Sequence, residues 1–238
     1  MKKLPGVFDL LSKRGQNESA RAALAIAALL CCWGLGAAQA QNTGALDAGG
    51  MTFKDFGVAD NGASFNRADP QSSGIPNQTS SRVLSVSNAE RVARVRFDSV
   101  KVEVSLPLGW QANEDWERGV AYSGDRNYRL IVWRIDFAFE GVKDAEHYAA
   151  TKTGAIKARR PAVETQARKL ADGTFLIAYE KVAPGQGDKG PRTVFDLVLS
   201  KPGNPKEGVL VTLGIPAGDT ERGLKLLALI KEKVRIDW

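Results

Sequence analysis

The clearest pattern of hydrophobic and polar positions is a strict alternation between Tyr128 and Phe139. Successive side chains of a strand point to opposite faces, so this alternation predicts one long strand. Its apolar side is predicted to carry Ile131, Trp133, Ile135, Phe137 and Phe139. A strand with so apolar a face requires a cover, and we expect it to lie at the centre of a sheet.

Similar alternation, interrupted by turn residues, predicts the other strands of this sheet. The segments are residues 94–97, 100–106, 118–122, 162–170, 175–179, 194–200 and 208–215. The last two form a hairpin signature, because a short Pro- and Gly-rich segment joins them. Pro107 ends the second segment, and Gly109 permits a turn that directs Trp110 back at the sheet.

Two segments have the spacing of helices. Asp144 is a good N-cap for a helix from Ala145 to about Arg159, and Pro161 follows it. Asp219 is a good N-cap for a second helix. One stripe along that helix consists of Gly223, Leu226, Leu227, Ile230 and Val234.

The order of these elements predicts a single α+β domain over residues 92–238. We expect an antiparallel sheet of about six to seven strands, with one helix inserted between strands and one at the end. A chain of this length can bury a core without disulfides or metals.

The first forty residues have the composition of a secretory signal peptide. A basic stretch precedes the uncharged apolar run 22–35, and Ala38-Gln39-Ala40 is a small-x-small cleavage site. We expect cleavage after Ala40, which leaves no transmembrane segment; an uncleaved signal anchor is the alternative. The expected location is therefore the periplasm or the exterior of the cell.

Residues 41–91 are predicted to be a disordered polar tether. Thirty of the fifty residues 41–90 are Gly, Ser, Asn, Asp, Gln, Thr or Pro, too polar to offset the entropy of ordering. Phe53, Phe56 and Phe65 are the large aromatics of this stretch, and they are either incidental or a short docking motif.

Charge and cysteine content exclude several classes of function. The whole chain carries 33 basic and 27 acidic residues, but without the leader these become 28 and 25, a net charge of +3. So small a charge gives no reason to expect a nucleic-acid partner. Both cysteines, Cys31 and Cys32, lie in the leader, so the mature chain has neither disulfides nor thiolate chemistry.

Candidate catalytic residues are few, and we expect no cofactor and no metal site. The sequence from Gly185 to Gly190 matches G-x-G-x-x-G, but prolines on both sides exclude the helix N-terminus that holds a pyrophosphate. His147 is the sole histidine, next to Glu146 and near Asp144, which is more typical of a solvated helix start than of a metal ligand. No serine lies in a G-x-S-x-G elbow.

The best candidates for a partner or ligand surface are aromatic and basic residues. Trp110 and Trp133 are expected in the core, whereas Trp116 is flanked by charges and is expected to be exposed. Tyr122 belongs to the same aromatic-rich region. Arg159 and Arg160, with Lys152 and Lys157, form a basic edge at the end of the first helix.

The segment from Val102 to Trp110, a strand followed by P-x-G-W, resembles the opening of the PsbP-like fold. That superfamily includes PsbP of photosystem II, the nuclear Ran-release factor and the DcrB-like exported proteins of bacteria. The order of elements over residues 98–238 is also similar. The resemblance implies a binding or accessory module without shared catalytic residues, so no site residue follows from it.

These observations favour an exported, non-enzymatic accessory protein that binds an envelope protein. One alternative is a small-ligand or lipid carrier with a pocket between the sheet and the closing helix, lined by Trp133, Phe137 and Leu227. A second alternative is a metal-assisted enzyme centred on His147.

Overall fold

The computed structural model describes residues 45–57, 79–185 and 188–238. Within them lie two antiparallel sheets and two α-helices, which confirms the predicted α+β class. The strands are β1 (Thr79–Ser80), β2 (Arg82–Ser87), β3 (Val92–Phe97), β4 (Val102–Pro107), β5 (Gln111–Glu114), β6 (Arg118–Tyr122), β7 (Arg129–Asp136), β8 (Glu164–Lys169), β9 (Phe175–Val182), β10 (Arg192–Lys201), β11 (Asn204–Pro216) and β12 (Arg235–Ile236).

The large sheet contains eight strands in the order β1-β5-β6-β7-β11-β10-β9-β8. At its centre lies the long strand β11, which pairs with β7 on one side and with β10 on the other. The predicted hairpin of residues 194–200 and 208–215 is thus confirmed as β10 and β11.

The first strands form a second sheet, in the order β12-β4-β3-β2. We predicted one sheet for the whole domain, and this was wrong. Local alternation predicts which segments are strands, but it does not predict which distant strands pair with one another. Gly109 has φ +87° and turns the chain out of β4, so that Trp110 is buried against Tyr128, with ring centroids 6.3 Å apart.

The two helices lie on opposite faces of the large sheet. Helix α1 (Ala145–Arg159) packs on β8, β9 and β10, and the Asp144 carboxylate accepts the His147 backbone N–H at 2.8 Å, as predicted for its N-cap. Helix α2 (Thr220–Lys233) packs on β11 and on β4 of the small sheet. The Asp219 side chain makes no cap hydrogen bond; instead its carboxylate accepts the Tyr128 hydroxyl at 3.0 Å.

Both faces of β7 are therefore buried. Leu130 and Val132 belong to the core beneath α2 and the small sheet, whereas Ile135 and Phe137 belong to the core beneath α1. The single apolar face predicted from the alternation was incomplete, because the strand has a layer on each side. Phe139 was predicted to continue that face, but β7 ends at Asp136 and the Phe139 side chain is exposed.

Part of the predicted tether is ordered. A short 3-10 helix at Phe53–Phe56 buries both phenylalanines in the α2-side core, and β2 pairs with β3 ahead of the predicted boundary at residue 92. The prediction was wrong for these stretches because two aromatic anchors and one strand offset the entropy of ordering a polar segment. Residues 1–40 and 58–78, including the predicted leader and Phe65, lie outside the described residues.

None of the helices in the described ranges is long and apolar enough to span a bilayer.

Candidate functional site

Exposed large hydrophobic side chains concentrate at one end of the large sheet. Within the described part of the chain there are four such residues, and three of them, Trp116, Phe139 and Trp238, lie at the end where β6 begins and β7 finishes. We call this the aromatic end. The fourth, Val86, lies on β2 of the small sheet.

Strand register places Trp116 and Phe139 at the same end of the large sheet. Arg118 pairs with Trp133, so Trp116, two residues before Arg118, lies level with the last residues of β7. Neighbouring strands are about 4.8 Å apart, and Phe139 follows the end of β7 by three residues. The two loops therefore leave the large sheet at the same end.

Both loops are held by an aspartate that accepts backbone hydrogen bonds. The Asp115 carboxylate accepts the N–H groups of Glu117 and Arg118, each at 2.9 Å. The Asp136 carboxylate accepts the N–H groups of Ala138 and Phe139, at 2.9 and 3.1 Å. These Asx turns fix loops whose aromatic rings are 78% exposed at Trp116 and 86% exposed at Phe139.

Trp238 borders the same end from the α2 side. The Arg134 guanidinium lies 5.6 Å from the centre of its ring and donates to the Asp237 carbonyl and to that of Val100. The ring remains 39% exposed. A cation over an aromatic face stabilises the ring's position without covering its outer side.

The part of the aromatic end around Trp116 and Phe139 is acidic. Asp115 and Glu117 flank Trp116, and Asp136 and Glu140 lie near Phe139. Only Asp115 forms an ion pair with a described residue, the Arg118 guanidinium at 3.0 Å. Burial raises the pKa of Glu140, although the Lys152 charge partly opposes this effect.

The structure does not bring the predicted surface residues together. Trp116 is exposed, as predicted, but Tyr122 lies at the other end of β6, half-buried beneath the Arg126 guanidinium at 5.8 Å. Arg159 and Arg160 are exposed at the end of α1. We did not predict Phe139 as a surface residue. The sequence feature that could have indicated its exposure is Asp136, whose side chain favours a turn and ends the strand.

Lys152 does not belong to the predicted basic edge. Its ammonium lies 2.8 Å from the Asp196 carboxylate, which is 2% exposed and also accepts the Thr212 hydroxyl at 2.5 Å. Burial alone would lower the pKa of Lys152, but the Asp196 charge outweighs it and the pKa is raised. Tyr148 and Tyr179 surround this pair, and burial raises the pKa of each hydroxyl.

The predicted carrier pocket is not formed as expected. Trp133 and Phe137 pack in the α1-side core, whereas Leu227 packs in the α2-side core. The large sheet lies between them, so they cannot line one cavity. The interface between the sheet and α2 is filled by buried apolar side chains, among them Leu226 and Ile230.

His147 is exposed at the first turn of α1. Its ring accepts the Lys143 backbone N–H at 3.4 Å, an interaction of the helix start. Within residues 45–57, 79–185 and 188–238 no three His, Cys, Asp or Glu side chains are grouped to hold a metal ion. The described part of the Gly185–Gly190 segment is an irregular loop without a helix.

No known protein-family profile matches the sequence, and no curated protein matches it significantly. Solved structures that are similar to the chain include two of Mog1 and one of a cyanobacterial PsbP. The Saccharomyces cerevisiae Ran-binding protein Mog1p is 11% identical with a TM-score of 0.42, covering 61% of this chain and 95% of its own. A Mog1 mutant is 13% identical with a TM-score of 0.41 at the same coverage.

The third is the cyanobacterial PsbP of Synechocystis, with 16% identity and a TM-score of 0.41 over 64% of this chain and 98% of its own. The narrower assignment to the DcrB-like exported proteins stays a prediction.

Proposed function

We propose that this protein is an exported, non-enzymatic accessory protein that binds an envelope protein through its aromatic end. The observation that supports the proposal is the pair of exposed rings, Trp116 and Phe139, each on a loop held by an aspartate. Rigid aromatic side chains give large contact area at a small entropic cost, and tryptophan is enriched among residues that dominate binding energy.

The charge around the rings indicates the chemistry of the partner. Glu117 and Asp136 form no ion pair with a described residue, so the rim beside Trp116 and Phe139 is negative, whereas the Arg134 guanidinium lies beside Trp238. Complementary potentials favour association and suppress wrong partners. The partner is therefore a protein with an apolar depression bordered by lysine or arginine.

Site-specific photocrosslinking in intact cells tests this binding surface. A photoreactive phenylalanine analogue replaces Trp116 or Phe139, and in a matched control it replaces Val86, an exposed hydrophobic residue of the small sheet. We expect the same adduct from the first two positions and none of that mass from the control. Adducts that are absent from both positions, or identical at Val86, would contradict the proposal.

Truncation of the rings supplies an independent readout. Trp116→Ala and Phe139→Ala remove exposed side chains, so we expect free energies of unfolding within about 0.5 kcal/mol of the wild type. We expect copurification of the crosslinked partner to fall at least about tenfold, a loss of 1.4 kcal/mol or more. Retained copurification in the double variant would exclude these rings as the binding surface.

Export is tested separately from binding. Mass spectrometry of the protein from a periplasmic fraction should give a chain that starts at Gln41. A chain that retains residues 1–40 in the membrane fraction would favour the signal-anchor alternative. Recovery in the cytoplasm would contradict the proposed location.

A further inference from the structure

A short segment that precedes the sheets lies on the domain in the manner of a bound peptide. Residues 45–57 are connected to β1 by residues 58–78, and they contain the 3-10 turn Phe53–Phe56. That turn packs on β4 and on α2. In the described part of the chain, no backbone–backbone hydrogen bond joins residues 45–57 to the sheets or to the α-helices. The segment is therefore held by contacts that involve side chains.

Two phenylalanines supply the apolar part of this contact. Phe53 and Phe56 are each 7% exposed and belong to the α2-side core. They are three residues apart, and side chains at positions i and i+3 of a 3-10 helix lie on the same side. Both rings therefore enter the space between β4 and α2. We call the surface of β4 and α2 that they cover the docking groove.

Arg222 of α2 contacts both a ring and the backbone of the turn. Its guanidinium lies 5.1 Å from the centre of the Phe56 ring and donates to the Asp55 carbonyl. A hydrogen bond from the Thr52 N–H lowers the pKa of the Asp55 carboxyl, and the Arg222 charge adds to this effect. The docking groove therefore favours an acidic residue between the two phenylalanines.

The turn also forms hydrogen bonds within itself. The Thr52 N–H donates to the Asp55 carboxylate at 2.8 Å, and the Asp55 N–H donates to the Thr52 carbonyl at 3.1 Å. Gly49 and Gly50, with φ +58° and +78°, bend the chain just before the turn. The bonds within the turn do not depend on the rest of the domain. The interactions that its release would break are therefore those of the two rings and of Arg222.

We propose that the docking groove binds a segment of a partner protein that has two phenylalanines three residues apart with an acidic residue between them. Residues Phe53–Phe56 are the intramolecular occupant, which the partner's segment displaces. Because residues 58–78 keep the displaced segment attached, it competes with the partner at a high effective concentration. The docking groove shares no residue with the aromatic end and does not depend on the function proposed for it.

Fluorescence anisotropy with a labelled peptide tests the docking groove. The peptide consists of residues 45–57, and the protein is the full chain with Phe53→Ala and Phe56→Ala, whose own rings no longer fill the groove. We expect the peptide to bind this double variant. It should bind the wild type at least about tenfold more weakly, because the intact segment competes. A folded double variant that does not bind the peptide would overturn the proposal.

Matched controls identify the groups that are recognised. A peptide with alanine in place of both phenylalanines should bind the double variant at least about tenfold more weakly, and equal binding of the two peptides would overturn the proposal. Arg222→Ala, added to the double variant, should weaken binding of the unmodified peptide at least about threefold. Trp116→Ala in the same background should leave peptide binding unchanged. A failure of the docking groove and a failure of the aromatic end are therefore distinguishable.

Hydrogen exchange of the wild type tests release of the segment even if the double variant does not fold. The Met51 and Asp55 amides donate within the segment, and a single turn gives little protection once the segment has left the groove. We expect these amides to exchange at least about a hundredfold faster than the paired amides of β4. Exchange as slow as in β4 would show that the segment leaves only on global unfolding, and it would overturn the proposal.

Discussion

Lys152 of α1 and Asp196 of β10 form an ion pair of 2.8 Å at the interface between the helix and the large sheet. The lysine side chain is 27% exposed, whereas the aspartate is almost completely enclosed. The pair is thus the main polar link across an otherwise apolar contact, which Tyr148, Ala149 and Ile177 dominate. It fixes how α1 lies over β10.

Removal of one partner of this pair should destabilise the protein strongly. We expect Asp196→Ala to lower the free energy of unfolding by about 2–4 kcal/mol, because the Lys152 charge and the Thr212 hydroxyl lose their acceptor. Partial exposure of Lys152 keeps the value below that of a fully buried pair. Denaturant unfolding measures the change.

The control is the double variant Lys152→Met/Asp196→Val, which replaces both charges by apolar groups. It should recover a large part of the lost stability, since no unpaired charge remains. A double variant as unstable as Asp196→Ala would show that the charges contribute little to one another.

Gly119 of β6 should not tolerate a side chain. An added Cβ would lie 2.2 Å from the Phe97 ring of β3, at the contact between the two sheets. We expect Gly119→Ala to lower the free energy of unfolding by about 2–3 kcal/mol. Gly214→Ala, where an added Cβ would make only an ordinary contact of 3.9 Å with the Arg129 carbonyl oxygen, is the matched control and should be neutral or slightly stabilising. Equal effects of the two substitutions on thermal unfolding would refute the sheet-to-sheet contact.

The Asp136 carboxylate should control the order of the loop that carries Phe139. Asp136→Ala removes two backbone hydrogen bonds, so we expect faster hydrogen exchange at Ala138 and Phe139, with a loss of global stability of about 0.5–1.5 kcal/mol. Asp136→Asn keeps an acceptor oxygen and should exchange nearly as slowly as the wild type. Unchanged exchange in Asp136→Ala would mean that the loop is held by other contacts.

Glu140 should make stability depend on pH. Burial raises the pKa of its carboxyl, with Lys152 opposing in part, so the charged form is disfavoured in the folded protein. Glu140→Gln should therefore be more stable than the wild type at neutral pH. The advantage should diminish as the pH falls through the raised folded pKa and disappear below the unfolded value of about 4.3, where the carboxyl is neutral in both states. Chemical denaturation of both proteins at several pH values measures it, and a constant difference would contradict the assignment.

Local sequence patterns were sufficient to predict most of the individual strands and helices. Period-two alternation located most strands, Asp144 marked the start of α1, and the Pro- and Gly-rich turn identified the β10–β11 hairpin. These features depend on neighbours a few residues away. Pairings such as β4 with β12 depend on residues more than 120 positions apart, so the second sheet could not be read from periodicity.

The candidate sites were harder to predict than the fold. A lysine that interrupts the apolar face of a helix is usually solvated, and only Asp196, isolated in the apolar strand β10, signals a buried partner for Lys152. Phe139 continues the alternation of β7, and its exposure follows from the Asx turn at Asp136, a geometric fact.

The small sheet draws its strands from both extremes of the described domain, because β12 completes the row that begins with β2, β3 and β4. During synthesis on the ribosome, one edge of β4 consequently remains unpaired until residues 235–236 emerge. Truncation or a tag near Arg235 would first disturb the pairing at the β4 edge, which is distant in sequence from the altered residues.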